Sequence, residues 1–263
     1  MKQPRPGRPA PLLLPALLLM ALGCTPPDDL NLLVGNPLNL SRQDELICLV
    51  RDSVLPRERS TRNLQPVVLG PDGVPLPSQT DDLDLDGSWD ELVFLVDLAP
   101  GEQKELTISF DAGTATHRYP VRTNIRLGAN LLGYPDLRNG ERLEGVSYHN
   151  YEGKTSAHFL MEGPAWENDR VGFRNYLDQR NGMDIYGKRT RRMVLDSVGL
   201  PGGPSYHEAA EWGMDILKVG TSLGAGGLAC LAGDSLYRVG DRGRGDFRIL
   251  SEGPVRSSLR APG

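Results

Sequence analysis

Cysteine is scarce in this chain of 263 residues: there are three, with no Cys-x-x-Cys pair and no Cys/His cluster. That argues against a structural zinc site. Positive charge is also short. Lys and Arg number 29 against 34 Asp and Glu, and the formal net charge is −5. A nucleic-acid binder would show a basic patch or stripe instead. A nucleotide loop is missing as well. The glycine-rich run at 220–227 (GTSLGAGG) lacks the Lys-Ser/Thr of a phosphate loop. It reads as a turn or bulge, and no nucleotide cofactor is expected. Helical patterning is nearly absent, with one short candidate at HEAAEW.

What the chain does hold is turn formers, 31 Gly and 21 Pro, beside 39% hydrophobic residues. The apolar content is enough for a core, so the chain is not a disordered one. Glycine and proline cut that content into many short strands. An all-β, mainly antiparallel fold is expected.

The first residues stand apart from that fold. Lys2, Arg5 and Arg8 precede an apolar run at 11–23, which ends at Cys24. This is the layout of a secretory signal, too short to span a bilayer permanently. Its last residues, ALGC, resemble a bacterial lipobox, with Ala21 where leucine is more usual. Cys24 is therefore the expected lipidation site; plain secretion is the competing reading. Lipid gives an anchor to the membrane rather than a span, and the expected location is the bacterial cell envelope. Residues 1–24 are assigned to the signal and 25–35 to a tether. Export would permit a disulfide between Cys48 and Cys230; two buried free thiols in strands are the alternative.

Residues 36–126 read as one β-unit. ELICLV (45–50) is a short strand, and the polar stretch after it is a loop. QPVVLGPDGVPLPSQTD reads as strand, Pro-Asp-Gly turn, strand, and ELVFLVDLAPGEQKELTISF as two strands across APGEQ. A small antiparallel sandwich fits this pattern. A second unit is expected over 127–263. In RVGFRNYLDQR, Val171, Phe173 and Leu177 share one face with Asn175, while Arg174, Tyr176 and Asp178 take the other. DIYGK in turn places Asp184, Tyr186 and Lys188 together. Two strands thus each present a polar, aromatic and charged face. The chain ends straight after a strand-like run, which suggests a shortened sandwich with an unpaired edge.

The run DDLDLDGSWDEL (81–92) is the candidate metal loop. Asp82, Asp84, Asp86 and Asp90 offer the hard oxygens calcium takes, and Gly87 permits the tight turn. Position twelve is Val93, not the bidentate glutamate of an EF-hand, so a shorter structural calcium loop is expected. The alternative is an acidic turn whose carboxylates accept local backbone N–H groups. HEAAE (207–211) imitates a zinc-protease helix but has Glu211 in place of the second histidine, which breaks the motif.

The block from Glu162 to Lys218 is the candidate site for chemistry. Trp166, Tyr176 and Trp212 are faces on which a pyranose can stack, and Asp178, Asp184 and Lys188 are groups for its hydroxyls. Arg174 and Lys188 suit a carboxylated sugar. His207 with Glu167 would make a general acid/base pair. Each residue also has a bland account: Arg174 and Asp178 as a same-face ion pair, the tryptophans as core. His149 and His158 compete with His207.

NPLNLSRQDEL, PSQTDDLDLDGSWDELVFLVDL, EGPAWENDRVGFRNYLDQRNGMDIYGK and YHEAAEWGMDILKVGTSLGAGGLA resemble the family known as domain of unknown function 4861. The resemblance runs from about residue 36 to 258. It implies an exported bacterial protein of polysaccharide-degrading gene neighbourhoods. It also implies an N-terminal β-sandwich followed by a large galactose-mutarotase-like sandwich, incomplete here at its C-terminal end. The resemblance supplies context and no mechanism; together with the mixed polar and aromatic faces it points to a carbohydrate ligand, with lyase, epimerase or hydrolase activity on oligosaccharides. A non-catalytic sugar-binding lipoprotein and an inactive fragment are the alternatives.

Overall fold

A computed structural model describes residues 29–55, 64–111, 118–128, 142–147, 159–178, 180–200, 203–222, 224–227, 229–238 and 244–260. The signal segment with Cys24, and His117, His149 and His158, lie outside them.

The first unit consists of two three-stranded antiparallel sheets. One has the order β1 (Leu30–Gly35), β6 (Gln103–Asp111), β3 (Gln65–Leu69); the other has β2 (Arg42–Val50), β5 (Glu91–Leu98), β4 (Ser78–Asp81). Period-two alternation explains the packing. Leu92, Phe94, Val96 and Leu98 of β5 and Leu106, Ile108 and Phe110 of β6 are buried in one core with Val34 and Val68. Apart from β4 and β5, which pair directly, strands that follow each other in sequence go to different sheets. β5 and β6 are joined by an arch at 99–102, where the Glu102 carboxylate accepts the Ala99 N–H at 2.6 Å. β3 and β4 are separated in the same way around the Pro-Asp-Gly turn. One helical turn, α1 (Arg51–Val54), follows β2 and leads to the buried Leu55.

Two boundaries are corrected. The tether expected over 25–35 ends earlier, because 30–35 is β1, with Val34 buried in the core. Residues 123–126 belong to the second unit, where they form β7 (Thr123–Arg126) and pair with β9.

The second unit is built on a five-stranded antiparallel sheet. Its order is β12 (Gly213–Asp215), β11 (Met183–Lys188), β10 (Val171–Asn175), β9 (Ala165–Asn168), β7. A three-stranded sheet, β16 (Ser258–Arg260), β15 (Arg244–Ser251), β8 (Arg142–Ser147), contributes Phe247 and Ile249 to a second apolar core with Ile125, Leu127, Phe159 and Leu177. A separate hairpin, β13 (Ala229–Ala232) and β14 (Ser235–Arg238), exposes Leu231, Leu236 and Tyr237. The fold is therefore all-β and antiparallel. Cys48 and Cys230 are free, in β2 and β13 as expected of free thiols, but exposed rather than buried.

Two ionic clasps join the units. Arg122 forks onto Asp44 at 2.6 and 2.7 Å and reaches Asp169 at 3.2 Å. Arg256 pairs with Asp81 and with Glu91, the latter at 2.7 Å. Gln79 accepts the N–H groups of Val255 and Arg256 at 2.8 and 2.9 Å.

Candidate functional site

Register fixes which side chains share a face of the five-stranded sheet. Ile125, Trp166, Phe173 and Ile185 stand in one cross-strand row. Arg126, Ala165, Arg174 and Asp184 form the row on one side of it. Asn124, Glu167, Gly172, Tyr186 and Asp215 form the row on the other. Adjacent rows alternate between faces. The first row lies on the side of the apolar core just described; the other two lie on the opposite, polar face. That face is no solvent surface. Met161, Val194, Leu195 and Val198 cover it, and Tyr206 and Trp212 pack against them.

The expected alternation of Arg174 and Tyr176 against Phe173 and Asn175 is observed, and the charged side is the more deeply buried one. Arg174 and Tyr186 are fully buried and Asp184 is 1% exposed. A guanidinium without water requires both counter-charge and hydrogen bonds. Asp184, directly opposite in the ladder, supplies the charge. The Met161 carbonyl accepts at 2.7 Å, and Arg174 donates to the hydroxyls of Tyr176 and Tyr206, the latter at 3.2 Å. Burial works against the charge of Arg174, yet the Tyr and Asp184 groups around it hold its pKa above the ordinary value. Tyr176 lies between two guanidiniums, 4.1 Å from Arg174 and 3.9 Å from Arg180, measured to its ring centre. Burial pushes the Tyr176 and Tyr186 hydroxyls above the usual tyrosine range. Arg174 Nε, Asp184 Oδ1, the Tyr186 hydroxyl and Asp215 Oδ2 are buried without a hydrogen-bond partner among the described residues.

Two further pairs close the polar face. Arg180 forks onto Asp178 at 2.5–3.1 Å. Lys188 pairs with Glu167 and donates to the Asn168 carbonyl at 2.8 Å. The other Glu167 oxygen accepts the N–H groups of Val194 and Leu195, both at 2.7 Å. Glu167 thus ties the covering segment to the sheet.

His207 and Glu167 share no bond. His207 Nδ1 instead lies 2.9 Å from Asp215 Oδ2, with the imidazole side chain 53% exposed and the carboxylate 1% exposed. Burial raises the Asp215 pKa, opposed by the Leu217 N–H and by His207. The His207 ring lies 4.4 Å from that of Tyr206, whose hydroxyl accepts from Arg174. Arg174 is thus bonded to Asp184, Tyr176 and Tyr206, and His207 touches both Tyr206 and Asp215. Trp212 joins them, 6.1 Å from Tyr186. Trp166 does not: it stacks on Phe173 at 5.9 Å, on the apolar side.

The helical turn expected at HEAAEW is absent. Ala210 and Gly213 exchange backbone hydrogen bonds at 3.0 and 3.2 Å, and Asp215 N–H returns to the Tyr206 carbonyl at 2.8 Å. This tight reversal sets His207 opposite Asp215. Gly213 is required there, since a Cβ would fall 1.9 Å from the Gly187 carbonyl oxygen.

Tyr206 and Asp215 were not singled out by the sequence reading. Asp215 had a signal, as a lone acid between Met214 and Ile216 in a short strand. Ser222 completes a Gly-x-Ser-x-Gly run at 220–224 that the reading passed over. No helix follows it among the described residues, and its hydroxyl donates to the Val219 carbonyl at 2.7 Å, so it is not a nucleophile elbow.

In the aspartate loop, Asp82, Asp84 and Asp86 bring carboxylate oxygens within 4.8 Å of one another. Asp90 is not part of that group; it accepts the Leu83 and Asp84 N–H groups at 2.7 and 3.3 Å. Asp82 accepts from Leu85, Asp86 and Gly87, and Asp86 from Ser88. Trp89 anchors the loop, donating to the Leu64 carbonyl at 3.0 Å.

A family model described as a domain of unknown function, DUF4861, matches residues 34–261, and the chain belongs to that family. Neither the curated proteins nor the solved structures returned a match.

Proposed function

We propose that this member of the DUF4861 family performs general acid/base chemistry on a carbohydrate. His207 transfers the proton, and Asp215 holds the imidazole in place. One observation carries this reading. A half-exposed histidine sits on a buried carboxylate at the margin of a buried, ion-paired sheet face. A carboxylate in contact with Nδ1 orients the ring, which leaves Nε2 to exchange protons with a ligand. Epimerisation, mutarotation and β-elimination all need such a group. Tyr206 and Trp212 supply aromatic surface of the kind that stacks on pyranose C–H faces. A galactose-mutarotase-like sandwich, which the resemblance to the family implies, would suit the same substrate class. In this reading Glu167, Arg174, Asp178, Asp184 and Lys188 position the site, and Tyr176 is packed between its two arginines.

The test is a panel of oligosaccharides assayed with the full chain for reducing ends, for anomer exchange and for absorbance of a new double bond. Turnover that falls about a hundredfold or more in His207→Ala is the expected result. Sugar binding without turnover would instead favour the non-catalytic binding protein.

Lipidation at Cys24, an envelope location and a structural calcium in the aspartate loop belong to the same proposal. For calcium the support is the three converging carboxylates, a hard-oxygen donor set. Palmitate labelling that disappears in Cys24→Ser would test the anchor.

A further inference from the structure

We infer that the site takes an uncharged sugar unit and discriminates against a uronate, with Glu162 as the residue that sets this preference. The inference rests on the acid/base sugar reading above and narrows its substrate class.

A uronate needs a fixed cation. The three with buried side chains in this block are Arg174, Arg180 and Lys188, and each is already paired. Arg174 holds Asp184, Arg180 forks onto Asp178, and Lys188 holds Glu167, with all six side chains at 7% exposure or less. Drawing one of them to a ligand carboxylate would leave a buried protein carboxylate without its cation, so the exchange brings no gain. Of the other cations near this face, Arg126 donates to the Asp196 carbonyl, while Arg189 and Lys218 are exposed and make no side-chain hydrogen bond or ion pair among the described residues. They offer screened charge rather than a built fork.

Glu162 adds a negative group where a ligand would arrive. Its side chain is 37% exposed, and its carboxylate lies 3.9 Å from both Arg174 and Arg180. Met161 and Glu162 are consecutive left-handed residues, with φ of 56° and 62°. Such backbone is costly for residues with a Cβ and is held only where the surroundings demand it. Here it aims the Met161 carbonyl at Arg174 and places the Glu162 carboxylate beside both guanidiniums. Two guanidiniums, Arg174 and Arg180, thus face four carboxylates: Glu162, Asp178, Asp184 and Asp215.

The experiment titrates linkage-matched pairs, glucose against glucuronate and galactose against galacturonate oligosaccharides, into the full chain and into Glu162→Gln. The wild type should bind the neutral member about tenfold or more tightly, as expected for like charges about 5 Å apart at a protein surface. Glu162→Gln should close most of that gap, and so should high salt. Equal or tighter uronate binding would overturn the inference alone, as would a gap that Glu162→Gln leaves intact. Binding of neither member would overturn the sugar reading and this inference with it. If Glu162→Gln fails to fold, Glu162→Gly, which suits the left-handed backbone, replaces it.

Discussion

Strands β5 and β10 both turn alternate residues inward, but they bury different chemistry. β5 buries Leu92, Phe94, Val96 and Leu98. β10 and its continuation bury Arg174 and Tyr176, opposite Asp184 on β11. Each fully buried aliphatic or aromatic side chain of the first set stabilises by about 1.5–3 kcal/mol. A buried ion pair contributes little net stability, because desolvation offsets its attraction. The first unit is therefore explained by stability alone. The polar face of the second is not, and this is the reason to place function there.

Breaking one member of the buried pair should give the largest effect. Asp184→Ala leaves Arg174 without its closest counter-charge and should cost about 3–5 kcal/mol in urea unfolding. The double replacement Arg174→Met with Asp184→Leu should recover most of that loss, since apolar residues of similar volume often replace buried pairs without penalty. The corresponding trim in the first core, Ile108→Val, should cost about 0.5–1.5 kcal/mol, and no second change should be needed to account for it.

The clasps between the units should show a smaller, pH-dependent effect. Arg122 holds the Asp44 carboxyl below its ordinary range, and Arg256 does the same for Glu91. Carboxyls depressed in the folded state stabilise it above their unfolded pKa values, and that contribution is lost as pH falls through their folded values. Melting temperature should drop below about pH 4, and Arg256→Ala should flatten the drop. Asp44 and Glu91 are partly solvated, so each of these two pairings is worth about 1 kcal/mol or less. Asp215 has the opposite sign. Its raised pKa means that its ionised form costs stability at neutral pH. Asp215→Asn should melt higher than wild type at pH 7 and lose that advantage in acid, while turnover is lost. Calcium should give the smallest change in this comparison: heat on titration into chelator-treated protein, with a modest rise in melting temperature. Absence of both would leave the aspartates as turn-capping groups.

The strand alternation of RVGFRNYLDQR and DIYGK was legible in the sequence, and so was the grouping of Arg174 with Tyr176 and of Asp184 with Tyr186. Which face lies deeper was not. Burial there depends on Val194, Leu195, Val198, Tyr206 and Trp212, which pack over the sheet from outside the strands. Strand β1 carried the Leu32-x-Val34 alternation but followed a tether-like segment that masked it. The partner of His207 was hidden for another reason. HEAAEW has helical spacing, and the tight Ala210–Gly213 reversal that overrides it depends on contact with Gly187 on another strand. Local pattern thus identified the polar residues, while long-range pairing decided which of them meet.

The most direct test of the account compares wild type with His207→Ala for turnover of the oligosaccharide panel, alongside thermal melts of both. The imidazole is half exposed, so its removal should change stability by no more than about 0.5 kcal/mol. The account predicts matching melts and a loss of turnover of about a hundredfold or more. Undiminished turnover in a folded His207→Ala protein would contradict it.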